Sequence, residues 1–116
     1  MVVNNLTRNR QLIVRGKLAK SLLARAKGLL FHPPLAQGEG LLLAPESSIH
    51  TFFMGFAIDV AYLDGANRVV HLIPEMKPFR ISLPVKQARA VLEMPAGTLL
   101  RTETQVGDQL EIVDGG

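Results

Sequence analysis

The chain has 116 residues, 47% hydrophobic and 20% charged, with no cysteine and a formal charge of +3. That length fits one domain and that composition a folded one, and the missing thiols exclude disulfides, thiolate catalysis and cysteine-built zinc sites. The charge is uneven: seven basic residues precede the first acidic one, Glu39, so residues 1–38 carry +7, and the remainder, six basic against ten acidic, carries −4.

Met1–Arg8 lacks the apolar core of a signal peptide, and no run approaches the ~18 apolar residues of a membrane span. A soluble, cytoplasmic protein is expected. Residues 1–10 read as a flexible or edge-pairing lead-in and 11–116 as one domain. Gln11–Val14 has the composition of a short strand. Leu22, Leu23, Ala26, Leu29 and Leu30 then recur with helical spacing, which turns Lys20, Arg25 and Lys27 outward until Pro33-Pro34 stops the helix. This basic face reads as solvated, because no aromatic residues interleave with it as single-strand binding requires, and no specific nucleic-acid partner is expected.

The turn Gln37–Gly40 delivers a strand at 41–44, ended by Pro45. Two strands are expected at 49–54 and 57–64, reversing at 54–57. Asp64–Asn67 is a hairpin signal leading into a strand at 68–73. Pro74, Pro78 and Pro84 make 74–84 a stiff loop, and Pro84 opens a second helix over 84–93. Strands at 98–101 and 109–113 close the chain. The expectation is an α+β fold: a compact, β-rich domain with a strongly curved, mostly antiparallel sheet, or a small barrel, and two short helices.

Polar residues inside apolar strands mark the places where chemistry is expected, since a buried polar group must find a partner. Ser48 and His50 share a strand face but start too far apart for a direct nucleophile–base bond. In a regular hairpin Asp59 would pair with Phe52, diagonal to His50, and could orient it. Asp59 lies between Ile58 and Val60, where backbone N–H groups of a neighbouring loop are its usual partners. Arg80, on the proline loop, has the chemistry of an anion clamp or an ion-pair partner of Glu75, Glu93 or Asp59. Glu93, placed at a helix end, needs a compensating charge, for which Arg80 or Arg89 is the natural candidate. His32, His50 and His71 fall in separate elements with no metal-ligand spacing, so neither metal nor cofactor is expected.

The blocks Arg25–Leu30, Gly38–Leu43, Ser48–Met54, Ile58–Asp64, Pro78–Arg80, Leu92–Gly97 and Val106–Asp108, in that order, resemble the DUF192 family, also called UPF0127, of small bacterial and archaeal proteins without an assigned activity. The resemblance implies a compact β-rich α+β domain and carries over no catalytic residue. Ala57 stands where similar proteins often have proline, and Phe31-His32 where they often have Gly-Arg.

The function expected from these residues is non-enzymatic binding of a small ligand or peptide, in a cleft near Ser48, His50, Met54, Asp59, Arg80 and Glu93. Two alternatives stand beside it. One is a hydrolase with His50 as general base oriented by Asp59. The other is an assembly protein acting through its basic N-terminal region.

Overall fold

The computed structural model describes residues 1–114, apart from the side chains of Leu22 and Leu23, so the apolar face expected of those two lies outside the described residues. Strands β1 (Val2–Asn5), β2 (Arg10–Ile13) and β3 (Arg15–Ala19) precede helix α1 (Leu22–Lys27). Strands β4 (Glu39–Leu43), β5 (Ile58–Leu63), β6 (Val69–Met76) and β7 (Ala90–Pro95) follow, then helix α2 (Thr98–Thr102) and β8 (Leu110–Val113). They form two open sheets, ordered β2-β1-β8 and β3-β4-β7-β5-β6, and neither closes into a barrel. All strand pairs are antiparallel except β3–β4, which run parallel because α1 provides the crossover between them. The residues expected as a loose or edge-pairing lead-in supply β1, the middle strand of the smaller sheet.

Strand β7 lies at the centre of the larger sheet and is buried along its length except at Pro95. Because side chains alternate across a strand, its residues feed two cores. Leu92 and Met94 join Ala61, Leu63 and Leu42 against Val3, Ile13 and Leu99, while Val91 joins Val60, Tyr62 and Leu43 against Leu29, Ile49 and Met54. A sheet covered on both faces explains why β5, buried at all six positions, is apolar on both faces apart from Asp59 rather than alternating.

Three local expectations are overturned. Residues 49–54 form no strand. Thr51 accepts from the backbone N–H of Phe79, Phe53 adopts φ 62°, and the single bridge is His50 with Ile81, so no hairpin joins this segment to β5. Residues 84–93 are not a helix: Ala90–Pro95 pairs with β4 on one side and β5 on the other, and these long-range partners outweigh a helical spacing of apolar residues. Residues 98–101 are helical because α2, whose Gly97 cap offers no side chain, is capped from β5 by Asp59. The proline loop also begins later than expected. Strand β6 runs through Pro74 to Met76, which an edge strand tolerates because its outer N–H positions have no partner to lose.

Candidate functional site

Glu93 shares the β7 face of Val91, so its carboxyl rises from mid-sheet into the second core, below α1. It is 3% exposed, and its Oε2 has no hydrogen-bond partner among the described residues. Burial pushes its carboxyl up to about 8, so at neutral pH it is a protonated acid able to donate. The carboxyl borders a cavity of about 340 Å³ walled by α1 and the turn after it, by residues 46–54, and by Ile81 and Ser82.

Arg25 enters the same cavity from α1. Ser21 caps this helix by accepting from the Ala24 N–H, and Gly28 ends it at φ 47°. A Cβ at Gly28 would sit at ordinary contact distance, 3.7 Å, from Glu93 Oε1, so the end of the helix lies over the acid, and it is the left-handed φ that favours glycine there. Arg25 Nη1 donates to the Lys20 carbonyl at 2.8 Å, while Nε is buried without a hydrogen-bond partner. Glu46 Oε2 stands 3.8 Å from that Nε, near enough for charge attraction but beyond hydrogen-bonding reach.

His50 is exposed at the mouth. Its Nδ1 accepts from the Phe52 N–H at 3.3 Å, which leaves the ring proton on Nε2, and its ring packs on Phe52 with centroids 5.5 Å apart. Ser48 and Met54 line the same wall. Below them Tyr62 donates its hydroxyl to Ser82 Oγ, and Ser82 donates to the Leu83 carbonyl at 2.9 Å. Burial raises the Tyr62 pKa, and the Ser82 hydrogen bond only partly opposes it.

Of the residues singled out from sequence, Ser48, His50, Met54 and Glu93 are thus brought together, and Asp59 and Arg80 are not. Asp59, 1% exposed, points to the opposite face of the sheet. Its Oδ1 accepts from Glu75 N–H at 2.8 Å, and its Oδ2 from Gly97 and Leu99 N–H at 3.1 and 2.8 Å. No His50–Asp59 hydrogen bond forms. Arg80 contributes backbone instead. Its N–H donates to Thr51 Oγ1 and its carbonyl accepts from Thr51 N–H, both at 2.9 Å, which ties the two cavity-side loops together. Its exposed side chain makes no ion pair among the described residues, so neither it nor Arg89 compensates Glu93. Neutrality does that. Arg25, expected to face outward, and Glu46 are the participants the sequence reading missed. A charge alone in the apolar run 90–94 marks Glu93, but helical periodicity cannot separate Arg25 from the solvated cations beside it.

Outside the mouth lie three exposed phenylalanines, Phe31, Phe53 and Phe79, all with positive φ of 56–62°. Their rings approach to 5.8 Å (Phe31–Phe53) and 6.1 Å (Phe53–Phe79), and Phe52 joins them to the cavity wall. Left-handed backbone is strained for such bulky residues, so the surrounding loops hold these rings outward at a conformational cost.

The sequence profile of DUF192, described as an uncharacterized ACR, matches residues 4–112. A UPF0127 protein of Pyrococcus furiosus is 32% identical over 110 residues, covering 92% of this chain and 94% of its own. Another, from Pyrococcus horikoshii, is 37% identical over 98 residues, covering 82% and 84%. The crystal structure of a Novosphingobium aromaticivorans protein of unknown function superposes with a TM-score of 0.82 at 24% identity, covering 96% of this chain and 82% of that one, a likeness of fold. A family match over nearly the whole length, with a relative 32% identical across 92% of the chain, places this chain in the DUF192 (UPF0127) family.

Proposed function

We propose that this chain is a non-enzymatic binding domain whose small ligand enters the cleft between α1 and the 46–54 loop. One observation carries the reading: Arg25 and Glu93 line a single cavity, and each keeps a buried polar atom, Nε and Oε2, with no hydrogen-bond partner among the described residues. Leaving such groups unpaired costs about 1–3 kcal/mol each, a cost that a bound molecule offering complementary atoms removes. The hydrolytic alternative loses its orienting group, since both Asp59 oxygens are occupied by backbone amides across the sheet from His50.

The test is a fragment screen followed by amide chemical-shift mapping. Binding compounds are expected to move the signals of Arg25, His50 and Glu93 together, and to lose affinity at least tenfold in Glu93→Leu, which fills the floor of the cleft with an apolar group. Compounds that bind at full strength to a folded Glu93→Leu would place the ligand elsewhere. A second reading, contact with a peptide, is favoured by the exposed Phe31, Phe53 and Phe79 cluster. It predicts that triple substitution to serine abolishes peptide capture without affecting cleft fragments.

A further inference from the structure

We infer that the ligand of this cleft is a small monocarboxylate with an apolar body, its carboxylate accepting both from the Arg25 guanidinium and from the Glu93 carboxyl. The inference rests on the binding reading above and gives it a chemical class.

The polar atoms offered to the ligand are mostly donors. The Arg25 guanidinium can only donate. Glu93, protonated at neutral pH, has a hydroxyl to give, and His50 presents Nε2–H at the mouth because its Nδ1 is already an acceptor. An acceptor with two oxygens and no hydrogen of its own satisfies this set. A neutral hydroxyl satisfies Arg25 but not the surrounding charge. Around the cavity stand Arg25 and Lys27 against Glu46 alone, with Glu93 neutral and the Tyr62 hydroxyl tied to Ser82, a local balance of +1 that one anionic group cancels. A carboxylate also keeps its acidic neighbour protonated, since two like charges sharing a buried site cannot both persist.

Apart from Ser48 and Ser82, the rest of the lining is apolar. Leu29, Leu43, Ile49, Phe52, Met54 and Ile81 surround the polar end, so the ligand's body is a hydrocarbon chain or ring. Burying it contributes on the order of 25 cal/mol per Å². A volume of about 340 Å³ lies at the low end of the ~300–1,000 Å³ usual for small-molecule sites, and an acid of benzoate or hexanoate size suits it.

Benzoate and hexanoate are the probes, with benzamide, hexan-1-ol, glucose and inorganic phosphate as comparisons, titrated by calorimetry and by shift mapping on the full chain. The acids are expected to bind at least tenfold tighter than their neutral counterparts. They should move the Arg25, His50 and Glu93 signals and weaken about tenfold from pH 7 to pH 9, as Glu93 ionises beside the anion. Glu93→Gln, which keeps a donor, is expected to bind with no such pH dependence, which separates Glu93 from His50 at the same rim. Arg25→Gln, on a surface helix, is expected to bind at least tenfold more weakly. Benzamide, glucose or phosphate moving those signals as tightly as benzoate would overturn the carboxylate class while leaving the cleft as a binding site. An unchanged pH profile in a folded Glu93→Gln would also overturn it. If no probe moves those three signals, the cleft reading falls, and the class with it.

Discussion

Asp59 and Glu93 are neighbours in the sheet and opposites in chemistry. Asp59 pairs with Met94 and Glu93 with Val60, so the one-residue offset sends the two carboxyls to opposite faces. Asp59 meets three amide donors and is consumed by them. Glu93 meets none and is left protonated. Replacing Asp59 by alanine strands three N–H groups in or near the core, and a loss of about 3–5 kcal/mol is expected in urea unfolding. Asp59→Asn should cost nearly as much, because an amide brings its own N–H to donors already waiting. A variant as stable as the parent would show that water replaces the carboxylate without cost. That a lone acid between Ile58 and Val60 must find donors is legible in the sequence. Which donors is not, since Leu99 lies 40 residues along the chain and its amide is free only because 98–102 turns helical.

At the scale of elements, the legible parts were those with a strong local signal: the first helix, although it ends at Gly28 and leaves out Leu29 and Leu30 instead of running on toward Pro33-Pro34, the hairpin turn at Asp64–Asn67, and the closing strand. What local pattern missed was decided by distant partners. Val85, Ala88, Val91 and Leu92 fit a helix face, yet Ala90–Pro95 has an unfilled place between β4 and β5, and two ladders of backbone hydrogen bonds favour the strand. Strand β4 shows how tightly that place is bounded. A Cβ on Gly40 would collide with Ile13 Cδ1, approach Ile13 Cγ1 to 2.8 Å and meet the Glu93 carbonyl at 3.1 Å, where the two sheets press together. Gly40→Ala should therefore destabilise by about 1–3 kcal/mol, measured by thermal or urea unfolding. Adding Ile13→Val, which deletes the Cδ1 methyl, should restore part of the loss. Simple additivity of the two changes would show that Ile13 is not the obstacle.

For the whole molecule, the cleft acid makes global stability depend on pH in a way that its removal exposes. The folded Glu93 carboxyl, raised from its ordinary 4.5 to about 8, keeps its proton where the unfolded chain has released it. Its favourable contribution is complete below pH 4.5, declines as pH rises, and is gone once pH passes about 8. Asp108 has the opposite sign. Burial opposes its ionisation, but hydrogen bonds from Arg8, Asn5 and the Gln105 amide outweigh it and hold the pKa below the usual 3.8, so its contribution is present above that value and lost as pH falls. Between pH 4.5 and 8 the Glu93 slope therefore acts without that of Asp108. Keeping an ionisable acid there costs the parent about 3 kcal/mol at pH 7, from roughly 1.4 kcal/mol per pH unit. Glu93→Gln should thus unfold at higher urea than the parent at pH 7, by an amount that shrinks toward pH 5. A saturating carboxylate should recover part of the gap in the parent, because a ligand bound only to the folded state stabilises it by mass action. Equal stabilities at pH 5 and pH 8 for parent and variant would mean that the carboxyl reaches solvent, and that the floor of the cleft is wetter than its 3% exposure implies.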